Sequence, residues 1–184
     1  MQRLNDPNFF PVDLAEGASL RIRDLTTVDE MLALTERNLE RLKPWENWAH
    51  VEQTRADLAA YTAWLMAQWS LGLIVPAVIE LRGSLVGAVT ARIDENTGSA
   101  ELGYWIDADE EGTGLMTRAA TAVVRHVLDT GVPRIELRAS VGNTRSRALA
   151  DRLGFSYEGT LRSAQSVGGI RHDMALYALV PTLT

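Results

Sequence analysis

The chain has 184 residues, with 18 basic against 24 acidic side chains, a formal charge of −6 and no cysteine. Thiolate nucleophiles, zinc–thiolate sites, iron–sulfur ligation and a disulfide scaffold are therefore excluded. A chain of this length buries about 70% of the surface its unfolded form exposes, so residues 1–184 are expected to fold as one domain without staples. The acidic balance argues against a nucleic-acid partner. No apolar stretch approaches the roughly 20 residues that cross a bilayer, and the start does not read as an export signal, so a cytoplasmic location with no membrane partner is expected.

Residues 19–25 alternate apolar Leu20 and Ile22 with Arg21 and Arg23, the pattern of a strand with one covered face. Thr27 with Glu30 reads as a capping box that opens a helix over 28–42, which stops before Pro44. A second helix over 54–70 carries Leu58, Tyr61, Leu65 and Trp69 at helical spacing. The β-rich runs 75–81 and 85–93 flank Arg82-Gly83-Ser84, a hairpin signal, and a third run covers 99–106. Gly112-Thr113-Gly114 then opens a helix closed by Gly131, and a strand follows over 134–140, so the middle of the chain reads as a β-α-β crossover. A short helix over 143–153 stops at Gly154, and two strands, 155–162 and 171–180, surround Gly168-Gly169. The class is α/β with a mixed sheet.

The most informative local feature is the strand ELGYWI followed by DADEEGTG and a helix. Glycines let backbone N–H groups approach an anion, and a helix N-terminus adds partial positive charge, so the loop can cradle a pyrophosphate. A glycine-rich helix entry is the alternative reading. The loop lacks the Lys-Ser/Thr of a nucleoside-triphosphate P-loop and the full dinucleotide spacing. Trp64 and Trp69 fall on a helical stripe and are expected to pack in the core or against a second copy. His50, His126 and His172 stand in no ligand spacing, so no metal is expected.

With three meander strands before the glycine loop and Asn143-Thr144-Arg145-Ser146 leading into RLGF, the chain from about residue 19 to 179 resembles the GNAT family of acyl-CoA-dependent N-acyltransferases. The segments LKPWENW, AELGYWI, VGNTRSRALADRLGF and GGIRHDMALYAL are most similar to the branch that includes ribosomal-protein N-terminal alanine acetyltransferases. The family's Gln/Arg-x-x-Gly-x-Gly/Ala loop is matched by residues 109–114, except that Asp109 stands where a basic or amide residue is usual. The resemblance implies a mostly antiparallel sheet, flanked by helices and splayed between strands four and five, the fourth being residues 99–106. It implies acetyl-CoA as co-substrate. Backbone N–H groups of Glu111, Gly112, Thr113, Gly114 and Leu115 would hold the pyrophosphate, a strand amide near Ile106 would polarise the thioester carbonyl, and Asn143 would meet the pantetheine. Arg118 would reach the phosphates or stay a solvated helix charge.

The implied reaction is direct attack of a primary amine on the thioester, which needs a proton acceptor and a proton donor. Glu101 is the candidate general base, with pairing to an arginine as its structural alternative, and Ser146 is the candidate donor to the leaving thiolate, with helix capping as its alternative. Tyr104 and Tyr157 are further possible donors. Trp45, Glu46 and Trp48 lie in the acceptor-binding segment of the family, and Trp105 is a pocket candidate. Of His172 and Asp173 only one should face the acceptor, because neighbours in a strand point to opposite faces. A protein or peptide N-terminal α-amino group is the expected acceptor. A small amine such as an antibiotic or polyamine, and a non-catalytic acyl-CoA-binding module, stay open, and a homodimer is expected.

Overall fold

The computed structural model describes residues 3–181. A short β1 (Val12–Asp13) and β2 (Ala18–Ile22) lead into α1 (Val28–Leu42) and α2 (Arg55–Ser70). Then come β3 (Ile74–Leu81), β4 (Ser84–Ile93), β5 (Ala100–Ile106), α3 (Leu115–Asp129), β6 (Ile135–Ser140), α4 (Thr144–Arg152), β7 (Ser156–Val167) and β8 (Ile170–Leu179). The strands form one sheet in the order β1-β2-β3-β4-β5-β6-β8-β7. Every neighbouring pair is antiparallel except β5 with β6, which are parallel. Among the described residues no helix is long and apolar enough to cross a membrane.

Alternation along the strands gives the sheet two apolar faces, because successive side chains point to opposite sides. On one face α1 buries Val28, Met31 and Leu34 with Leu58 of α2 against Val78, Leu85 and Ala88, and Trp105 packs at the margin. On the other, α3 buries Leu115, Ala119, Ala120, Val123 and Val127 in a core that includes Ile79, Val89, Leu102 and Ile106. The alanines of α3 let the helix lie close to the strands, and burying each large aliphatic contributes about 1.5–3 kcal/mol.

The expected capping box at Thr27 and Glu30 does not form. Asp24 instead caps a single tight turn by accepting from Thr26 N, the Thr27 hydroxyl donates to Asp24 O at 2.7 Å, and Glu30 accepts from Leu85 N in β4. A tertiary partner for Glu30 outcompetes the local one. The capping box forms one helix later, where Thr54 accepts from Asp57 N and Asp57 accepts from Thr54 N. The last hairpin is also longer than its sequence pattern, since β7 runs to Val167 with register shifts that its scattered apolar residues did not announce. Trp69 lies in the core against Phe10, whereas Trp64 is exposed, stacked on Tyr61 and covered by Arg92.

The parallel contact that positions the site is short. Only Ala100 with Ile135 and Glu101 with Glu136 are in register, after which β5 and β6 diverge. Each keeps its outer partner, β4 for β5 and β8 for β6.

Candidate active site

Asp107 N donates to Val86 O, so the odd-numbered residues at this end of β5 bond to β4 and the even-numbered ones face the split. The Leu102 carbonyl, both backbone groups of Tyr104 and the Ile106 N–H therefore form an unpaired edge inside the sheet, shaped to accept an extended polyamide arm as an added strand. The Ile106 carbonyl is already taken by the Arg41 guanidinium, while its N–H points into the same gap.

Beyond Ile106 the chain turns through Asp107 and rises into the glycine loop. Gly112 and Gly114 both have left-handed backbones, with φ of +76° and +79°. A Cβ at Gly112 would meet nothing within 4 Å, so the cradle is open on that side. The Glu111 N–H is spent on Ala108 O, and the Leu115 N–H leans on the Thr113 hydroxyl. The N–H groups of Gly112, Thr113 and Gly114 find no protein acceptor among the described residues, so they are free to meet an anion. One turn on, Arg118 Nε is buried without a partner, its Nη2 bonds Glu16 Oε2 at 3.0 Å, and its Nη1 lies 3.7 Å from where a Gly114 Cβ would be.

A loop with Asp107, Asp109, Glu110 and Glu111 repels phosphate unless its charge is compensated. Arg37 and Asn38 of α1 bond the buried Asp107 carboxylate. Burial alone would raise the Asp107 carboxyl, but these hydrogen bonds outweigh it and hold the group below the usual carboxylate range. Glu111 is bridged between Arg41, at 2.6 Å, and Arg145 of α4. Asp109 stays exposed. Arg37 and Arg41, one turn apart on α1, stand in no motif of the sequence, and only the packing of α1 against the end of β5 reveals their task.

On the α3 and α4 side of the split stands a hydroxyl pair. Tyr104 Oη and Ser146 Oγ are 2.6 Å apart, and the phenol also reaches Ser146 O at 3.3 Å. Burial pushes the Tyr104 phenol up to about 12, opposed by its bond with Ser146, so it stays protonated and able to donate. Ser146 does not cap α4. Asn143 does, its side-chain oxygen accepting from Ser146 N at 3.1 Å, which leaves the Asn143 amide NH₂ for another partner. Tyr157 is exposed and bonds Thr160, away from this pair.

On the α1 and α2 side, the 43–50 segment roofs the split. Trp45 packs 3.8 Å from the position of a Gly142 Cβ, Trp48 makes a tilted contact with Trp105 at 6.2 Å, and Asn47 Oδ1 accepts from Gly168 N in the β7–β8 turn. Glu46, between them, is half-buried. Desolvation raises its carboxyl above the usual value, and a bond with Trp48 opposes the rise. His172 Nδ1 meets Ser140 Oγ at 3.2 Å, near Gly142 and Trp45, whereas Asp173 turns away and accepts from Ser163 N within the last hairpin. Glu101 lies elsewhere, exposed at the paired end of β5 and β6, and its side chain makes no hydrogen bond or ion pair among the described residues. Among the described residues no His/Asp/Glu cluster could hold a metal.

The chain is similar to known proteins. Residues 19–156 match the family described as an acetyltransferase (GNAT) domain. A putative ribosomal N-acetyltransferase of Bacillus subtilis is 28% identical over 93% of this chain and 95% of its own. A ribosomal-protein-serine acetyltransferase of Escherichia coli is 26% identical over 92% and 96%. The solved structure of Mycobacterium smegmatis RimJ in complex with CoA-disulfide superimposes with a TM-score of 0.82 at 27% identity, covering 89% of this chain and 81% of that one. The split between β5 and β6, the glycine cradle and the family match agree: this chain belongs to the GNAT acetyltransferase family.

Proposed function

We propose that the chain transfers the acetyl group of acetyl-CoA to a primary amine, and that the amine is the N-terminal α-amino group of a protein or peptide. The observation that carries the reading is the split itself. It offers unpaired strand amides and a glycine cradle for the donor on one side and an aromatic roof with a carboxylate for an amine on the other. The names of the relatives as ribosomal-protein acetyltransferases support the acceptor class.

The chain's residues fit acetyl-CoA. Gly112, Thr113 and Gly114 N–H groups would bind the pyrophosphate, and the partnerless Arg118 Nε would add a charged donor. The Asn143 NH₂ would meet the pantetheine, and the Ile106 N–H would bind the thioester oxygen. Acetyl-CoA supplies the activated acyl group as a thioester. Ser146, backed by Tyr104, donates a proton to the leaving sulfur. We place the enzyme in the cytoplasm, and the exposed Tyr61–Trp64 stack supports a second copy of the chain as partner.

The test is acetyl-CoA-dependent release of free thiol over peptides starting with alanine, serine or methionine, polyamines, aminoglycosides and amino acids, with products confirmed by intact mass. Turnover confined to peptide N-termini is expected, and a folded Gly112→Asp protein should lose acetyl-CoA binding because a charged side chain enters the cradle at a left-handed position. Turnover of small amines alone overturns the acceptor class, and binding without turnover of any amine overturns the enzyme reading.

A further inference from the structure

The carboxylates around the split differ in what already holds them. Asp107 and Glu111 are saturated by arginines, Asp173 is bonded inside the last hairpin, and Glu101 stands in solvent where β5 and β6 are still paired. Glu46 is different. It is half-buried in the roof over the open part of the split, and it makes no ion pair among the described residues. The cations of its own segment are turned elsewhere, Lys43 to Glu40 and His50 to the Lys43 carbonyl. Its indole neighbour Trp48 packs on Trp105 of β5. Trp45 and Trp48, on either side of it, reach Gly142 beyond β6 and Trp105 of β5, so the segment that carries Glu46 spans the open end of the split.

We propose that Glu46 takes the proton from the acceptor's ammonium, the role that the resemblance would give to Glu101. The inference rests on the reading that the site acetylates a primary amine. The ammonium gives one proton to the Glu46 carboxylate, and the freed nitrogen lone pair forms the C–N bond while the C–S bond of the thioester breaks. The leaving sulfur takes the Ser146 hydroxyl proton, Tyr104 replaces it, and the hydroxyl pair is restored through water by the second proton that the nitrogen sheds. Glu46 releases its own proton to solvent. The products are one amide, one thiol and one proton, with no oxidant or further reactant. A buried carboxylate without a cation is also the arrangement that draws an ammonium in, so binding and deprotonation use the same group.

The test uses Glu46→Gln, Glu46→Ala and Glu101→Gln, assayed on whichever primary amine the wild-type chain acetylates, with acetyl-CoA binding measured for each. Glutamine keeps the shape but takes no proton. Glu46→Gln is expected to lower kcat about 100-fold, within the range of general-base losses, and further than Glu101→Gln. Formate added to Glu46→Ala is expected to restore at least a tenth of the lost rate, an effect that a merely structural role would not give. A loss of less than tenfold in Glu46→Gln, a larger loss in Glu101→Gln, or no response of Glu46→Ala to formate overturns the proposal. Turnover of a small amine alone overturns only the peptide reading, because the proton step is the same there. A wild-type chain that acetylates no amine overturns both.

Discussion

A carboxylate taken partly out of water with no cation beside it weakens the fold that holds it, and Glu46 is such a group. Its folded-state acidity is lowered, so the folded chain prefers the protonated form and the cost is full only above its raised pKa. Glu46→Gln should therefore be more stable than wild type at pH 8, and the difference should vanish as the pH falls below about 4, the unfolded carboxylate value. Urea midpoints at the two pH values check this, and an unstabilised variant at pH 8 would contradict it. Asp107 has the opposite sign. Its carboxyl is held low by Arg37 and Asn38 against the cost of burial, so its stabilisation is present above the unfolded value and lost on acidification. Asp107→Asn should cost about 1–2 kcal/mol at pH 7, because Arg37 is half-exposed and screened. The candidates at the glycines, Asn143 and Ser146 stand out in the sequence because their spacing is local, whereas the contrast between half-buried Glu46 and exposed Glu101 does not, since exposure is set by elements far apart in the chain.

Elements were read well where their periodicity and their boundary signals agreed. Helix α1 ends before Pro44, α3 starts after Gly114 and ends before Gly131, and the Arg82-Gly83 turn joins β3 to β4. Signals with two possible partners misled, as at Glu30, where a strand N–H replaced the local cap. The β7–β8 turn shows what element packing adds. A Cβ at Gly168 would lie 2.5 Å from the His50 ring, and the backbone there has a φ of +55°. Gly168→Ala should push the hairpin from the 43–50 roof, raising the acceptor KM severalfold while acetyl-CoA affinity, which depends on the opposite side of the split, changes little. Parallel kinetics and binding measurements check it, and an unchanged acceptor KM would show that the roof and hairpin do not share the acceptor.

For the whole molecule, the donor should act as a staple. It would bridge β5, the α3 loop and α4, adding to the packing of α3 on β5, the Glu111–Arg145 ion pair and the Tyr104–Ser146 contact. Saturation at 100 times Kd stabilises a folded chain by about 2.7 kcal/mol, which for a chain of this size is a rise in Tm of about 5–10 °C. Thermal melts with acetyl-CoA, and with Asp109→Asn, check the size and the charge dependence, the variant shifting further at equal ligand because an exposed anion near the cradle is removed. No shift in the wild type would contradict the donor site. By itself the sequence determined the class of fold, the order of its elements and the glycine turn before α3, because periodicity, turn residues and glycine spacing act over a few positions. How few residues β5 and β6 pair before the expected splay, the arginines bound to an acidic loop, the Tyr104–Ser146 pair and the half-burial of Glu46 were decided only by the tertiary structure. Each depends on which distant groups share a low-dielectric space, and no local pattern encodes that.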